Sequence, residues 1–86
     1  MKKQVWKFEI TLPNMVFEVP LGAEILTVQM VREITSIYFL VNPLNDKESR
    51  KFNIYPTGSD IYFESKYIGT CQTLEGHFIF HVFETF

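Results

Sequence analysis

Residues 24–41 read EILTVQMVREITSIYFLV. The runs 24–31 and 34–41 are rich in β-branched and aromatic side chains, which suit a pleated, half-buried surface. Neither run repeats its apolar residues every three to four positions, so neither reads as an amphipathic helix. As two strands they leave Arg32-Glu33 as a two-residue hairpin loop. That dipeptide is chemically poor there, because such loops favour Asn-Gly or Gly. A longer loop with a shifted register is the alternative. Strict alternation puts Leu26, Val28 and Met30 on one face of the first strand. It puts Ile37, Phe39 and Val41 on one face of the second.

The same period of two extends outward in both directions. From Trp6 to Leu12 the even positions are apolar and the odd ones polar, until Pro13 and Asn14 break the pattern. MVFEV (15–19) is a short strand that ends at Pro20. Asn42 to Lys51 is the most polar segment. It reads as a solvated loop, with one helical turn that Asn45 or Asp46 could cap. FNIY (52–55) is a strand closed by Pro56-Thr57-Gly58. Residues 59–66 are ambiguous between a helical turn and a loop. YIGTCQTL (67–74), Glu75-Gly76 and HFIFHVFE (77–84) form a final hairpin. If its loop has two residues, Leu74 faces His77, Thr70 faces His81 and Cys71 faces Phe80. A three-residue loop instead sets Cys71 against Ile79. Six to seven short antiparallel strands in one domain, 1–86, imply an all-β fold. The expected form is a compact sandwich or a partly open barrel.

The composition supports a packed domain. The chain has 86 residues, 47% hydrophobic and 16% aromatic, and nine phenylalanines can fill a small core. Its net charge of −2 lacks the basic excess expected of a nucleic-acid binder. The single cysteine, Cys71, permits no internal disulfide and suits a reducing compartment. Lys7 and Glu9 interrupt the apolar N-terminal residues, which excludes a secretory leader within this start. No run approaches the ~20 apolar residues that a membrane-crossing helix needs.

His77 and His81 are the chemically notable pair. On a strand they share a face but lie about 13 Å apart. That is too far for one zinc ion with Zn–N bonds of about 2.0–2.1 Å. Phe78, Phe80 and Val82 make one ordinary core face. The other face carries His77, Ile79, His81 and Phe83, whose apolar members need cover. A second layer of the same domain is the simpler source. A homodimer or target surface built on these four residues is the functional one. Cys71 lies beyond hydrogen-bond reach of either histidine in both registers, so it reads as a small buried thiol.

Thr57, Gly58, Ser59 and Asp60 form a flexible polar loop, and Arg50 and Lys51 supply cations nearby in sequence. Together they are a candidate anion-binding loop, with an ordinary turn as the plainer alternative. The glycine spacing and lysine of a P-loop are missing. No G-x-S-x-G motif and no paired carboxylates occur. Nothing in the chain calls for a metal or a cofactor.

VWKFEI (5–10), GAEILTVQ (22–29), KFNIYPTGSDI (51–61), YIGT (67–70) and FIFHVFE (78–84) resemble, in the same order, a small family of tailed-phage and prophage proteins of unknown function. The resemblance covers nearly the whole chain. That family tends to have Asn-Gly where this chain has Arg32-Glu33, and an aromatic where it has Cys71. The second difference fits a thiol that fills core space. The resemblance implies a virus-encoded protein made inside a bacterial host. With no catalytic constellation, the expectation is a non-enzymatic binding protein of the host cytoplasm, inhibiting or modulating a host or defence factor. A homodimer is compatible with it. A nucleotide or small-molecule sponge and a structural accessory of the virion are the alternatives. No membrane or nucleic-acid partner is expected.

Overall fold

The computed structural model describes residues 2–73 and 75–86. These residues form seven strands and no helix: β1 (Gln4–Ile10), β2 (Asn14–Pro20), β3 (Glu24–Val31), β4 (Ile34–Val41), β5 (Lys47–Pro56), β6 (Ser65–Gln72) and β7 (Ile79–Thr85). They pair antiparallel into a three-stranded sheet, β1-β4-β3, and a four-stranded sheet, β2-β5-β7-β6. The two sheets stack as a sandwich and do not close into a barrel.

The hairpin at 24–41 has the two-residue loop, with Val31 paired to Ile34. Arg32 and Glu33 both adopt positive φ, 50° and 66°, as a primed turn demands. For side chains with a Cβ this conformation costs on the order of 1 kcal/mol each.

Three local expectations are corrected. Leu26 does not share a face with Val28 and Met30, because a bulge between Ile25 and Thr27 inserts one extra residue. Ile25 and Val28 therefore both point inward, and Leu26 is exposed. The segment read as a polar loop is largely strand, since β5 begins at Lys47. Its burial alternates with period two, but one inward position carries Arg50 and so hides the pattern. No helical turn is capped by Asn45 or Asp46. Asn42 instead shapes the turn: its Oδ1 accepts from Leu44 N at 3.1 Å and its carbonyl from Asn45 N at 3.1 Å. Asn45 Nδ2 donates to the Leu21 carbonyl at 2.9 Å, and Asp46 O accepts from Leu21 N at 2.7 Å. Residues 57–64 contain neither helix nor strand.

The core is an aromatic interlock. Phe8 and Phe39 from one sheet meet Phe17 and Phe52 from the other, with ring centroids 5.1 Å apart for Phe8–Phe17 and 5.9 Å for Phe39–Phe52. Ile37, Val19, Val41 and Val82 are fully buried around them. At the β3–β6 edge the sheets approach closely. A Cβ on Gly69 would lie 3.1 Å from Val28 Cβ, so glycine lets these strands meet.

An ion pair sits between the layers. Arg50 Nε and Nη2 donate to Glu84 Oε2 and Oε1 at 2.7 and 2.8 Å, and Nη1 donates to the Ala23 carbonyl at 2.7 Å. The guanidinium also lies 5.3 Å from the centre of the Phe39 ring. The hydrogen bonds to Glu84 raise the Arg50 pKa, so the guanidinium stays charged despite its burial.

Stability measurements on three variants test the ion pair and the hairpin turn. Glu84→Ala leaves a buried guanidinium without its carboxylate and is expected to cost about 3 kcal/mol or more in urea unfolding. Arg50→Met combined with Glu84→Leu is expected to recover most of that loss; a double variant as unstable as the single one would contradict the account. Arg32→Asn relieves one left-handed residue and is expected to raise stability by about 0.5–1 kcal/mol.

Candidate functional site

The last strand organises the outward face of the four-stranded sheet. Val82 and Glu84 of β7 point inward and are buried. His81 and Phe83 point outward. Phe83 is half-buried between Tyr55 of β5 and Tyr67 of β6, with centroids 5.7 and 5.5 Å away and the rings tilted edge-on. Edge-to-face pairs of this kind add about 0.5–1.5 kcal/mol each beyond their area.

His81 is held at both ring nitrogens. Nδ1 lies 2.9 Å from Thr70 Oγ1, and Nε2 lies 2.8 Å from Thr57 Oγ1. Thr70 Oγ1 lies 2.6 Å from the Tyr67 hydroxyl, which completes a row Tyr67–Thr70–His81–Thr57. A neutral imidazole donates from one nitrogen and accepts at the other. Rotation of the two threonine hydroxyls satisfies either tautomer. Tyr67 and Thr70 are three apart and would face opposite ways on a regular strand. A bulge between Tyr67 and Gly69 turns both outward.

The Thr57 hydroxyl reaches His81 because of a turn. Ser59 N donates to the Pro56 carbonyl at 3.2 Å, and Gly58 has φ 92°. A type II turn needs a positive φ at this third position, which glycine supplies without strain. The chain then crosses β7. β5 and β6 run parallel on either side of that strand, so residues 57–64 must traverse the sheet. Thr57 at its start bonds outward-facing His81, and Phe63 near its end lies 5.9 Å under the Lys51 ammonium. The crossover therefore runs over the outward face and covers part of it.

The four expected interface residues divide. Ile79, His81 and Phe83 lie on β7 and share its outward face. His77 does not, because the strand starts two residues later. It lies in the preceding loop with Nε2 3.0 Å from Glu75 Oε2, both side chains exposed. Phe78, expected in the core, is also outside the strand, 63% exposed and stacked on Phe80 at 6.4 Å. The predicted pairing of Leu74 with His77 lies outside the described residues. The neighbouring pairs Thr70–His81 and Cys71–Phe80 have the register of the two-residue loop. Cys71 is buried, and that burial raises the pKa of its thiol.

The candidate anion-binding residues are not brought together. Thr57, Gly58 and Ser59 form the turn just described, and Asp60 accepts from the Tyr62 hydroxyl at 3.0 Å. Arg50 lies about 20 Å down the strand from that turn, at ~3.3 Å per residue, and is neutralised by Glu84. Lys51 sits over Phe63. Among the described residues no three His, Cys, Asp or Glu side chains gather as a metal site.

Sequence reading missed Tyr55, Tyr67 and Thr70 as members of this surface. The register that sets Thr70 against His81 was the available signal, but the bulge that adds Tyr67 has no sequence signature. Thr57→Val removes the tether of the crossover while conserving shape. Amide exchange across 57–64 is expected to accelerate about tenfold, with the core strands unchanged.

No curated protein and no solved structure matches this chain. Over residues 1–86 the chain matches the family model Domain of unknown function (DUF7352), and it belongs to that family.

Proposed function

We propose that this is a non-enzymatic, phage-encoded binding protein that acts in the bacterial host cytoplasm by occupying a host or defence protein. The viral and cytoplasmic parts of this reading rest on the motif resemblance and on the lone reduced cysteine. The binding part rests on one observation: the outward face around β7 carries aromatic rings left open to solvent. Tyr62 is 82%, Phe63 62% and Tyr67 54% exposed, beside half-buried Phe83 and Tyr55. Tyr67 stands on β6, and Tyr62 and Phe63 stand on the crossover beside it; exposed aromatic rings are among the residues that most often anchor protein interfaces. The hydroxyl row through His81 adds directional groups at the same place.

The nucleotide-sponge alternative needs unpaired cations beside the turn at 56–59. Arg50 is committed to Glu84, Lys51 is drawn over Phe63, and Asp60 adds negative charge, so the sheet face is the better-supported surface. A virion accessory would self-associate beyond a dimer in sedimentation.

The test uses the full chain as bait in host lysate, with retained proteins identified by mass. One partner is expected, and Tyr62→Ala with Phe63→Ala is expected to reduce its retention at least tenfold at an unchanged melting temperature. Lys7→Ala on the other sheet is expected to leave it intact. Retention indifferent to the aromatic variants, or a melting temperature raised by nucleotides, would overturn the reading.

A further inference from the structure

The sheet edges of this sandwich are not equivalent. β3 and β6 each end a sheet on one side, and there the layers close on each other, where Gly69 admits Val28. Each of these strands also carries a bulge, a device that keeps an edge from pairing with another chain. β2 ends in Pro20, which has no N–H to offer a further strand. β1 has none of these protections. It is seven residues long, contains neither proline nor glycine, and keeps an unbroken register with β4 from Gln4 to Ile10. Its second edge meets no strand, and no turn or loop backbone among the described residues bonds to it.

The side chains along this edge are also incompletely covered. β1 and β2 end the two sheets on the open side, and their inward-facing Trp6, Phe8 and Phe17 stay only half-buried there. On the outward face Val5, Lys7 and Glu9 are exposed. Among the described residues neither Lys7 nor Glu9 has an ion-pair or hydrogen-bond partner.

Lys7 and Glu9 make the strand complementary to itself in one register. Two copies of β1 can pair antiparallel about a two-fold axis. With the axis at Phe8, Lys7 of each copy faces Glu9 of the other, and Trp6 faces Ile10. Directly opposite Cβ atoms are about 4.5–5.5 Å apart, which is within reach of an ion pair. An axis at Lys7 would oppose two lysines, and an axis at Glu9 would oppose two glutamates. An axis between residues would set an inward side chain against an outward one. Charge therefore selects the register centred on Phe8.

We propose that this chain forms a two-fold homodimer through β1, which joins the two three-stranded sheets into one continuous sheet, β3-β4-β1-β1-β4-β3. Each copy gives the other backbone partners along its bare edge, two Lys7–Glu9 pairs on the outward face, and cover for Trp6 and Phe8 on the inward face. The joint consumes the same edge on both copies, so the assembly closes at two. It lies on the sheet opposite β7, and it is independent of the aromatic face and of the partner proposed for that face.

The test is sedimentation equilibrium of the full chain and of charge-reversed variants. The unaltered chain is expected to dimerise with a dissociation constant in the micromolar range. Lys7→Glu and Glu9→Lys are each expected to weaken the dimer at least tenfold, because either reversal sets like charges opposite one another twice. The two reversals combined restore opposite charges in the same register and are expected to bring affinity back to within about threefold of the original. Trp6 is the single tryptophan, and its emission is expected to shift to the red on dilution, a readout that needs no variant. A chain that stays monomeric at millimolar concentration overturns the proposal. A dimer indifferent to both single reversals, a double variant no better than the singles, or a dimer abolished by Tyr62→Ala would overturn it too. So would growth beyond two copies, or a host segment that occupies β1 while the free chain stays monomeric.

Discussion

A guanidinium removed from water must be surrounded by acceptors, and the placement of Arg50 shows what that requirement does to this fold. Its donors reach a carboxylate on β7 and a carbonyl between β2 and β3, while its flat face lies against Phe39 of the opposite sheet. One side chain thus fixes the β5–β7 register, the stacking of the two sheets and the path of the β2–β3 connection. A buried pair contributes little net stability compared with well-packed apolar residues, but breaking it is expensive. It acts as a registration device, beside a hydrophobic interlock that supplies the bulk of the cohesion.

With the inner face so fixed, the outward face of β7 becomes a consequence. Glu84 and Val82 point in, so His81 and Phe83 point out, where solvent would meet an aromatic ring in the middle of a sheet. Tyr55 and Tyr67 flank that ring, and the crossover between β5 and β6 passes above it. The His81–Thr57 bond ties the crossover to the sheet at its start. Cover is partial, and Tyr62 and Phe63 of the crossover carry exposed aromatic surface. The need for cover has been passed outward by one layer.

Two bulges set which side chains face inward and outward at one edge of the sandwich. The one in β3 sends Ile25 and Val28 inward together, and the one in β6 sends Tyr67 and Thr70 outward together. They lie on strands that touch across the sandwich, at the point where Gly69 admits Val28. Extra residues there increase local twist and let the sheet edges converge.

Alternation alone determined much of this protein. It placed Trp6, Phe8 and Ile10 inward, set Ile37, Phe39 and Val41 on one face, and marked the chain as all-β, with a sandwich and a partly open barrel both open. It left the register of the final hairpin open between two pairings, and the fold takes the one that sets Cys71 against Phe80. What it could not show is where the period slips, since Leu26 and Ile68 look like any other strand residue until their neighbours pair around them. Nor could it show that a charged side chain occupies an inward position. Arg50 made the start of β5 look like a loop, because hydropathy records whether a residue prefers water and not whether another strand offers it a carboxylate. That partner lies 34 residues away along the chain, and only the folded sheet brings the two together.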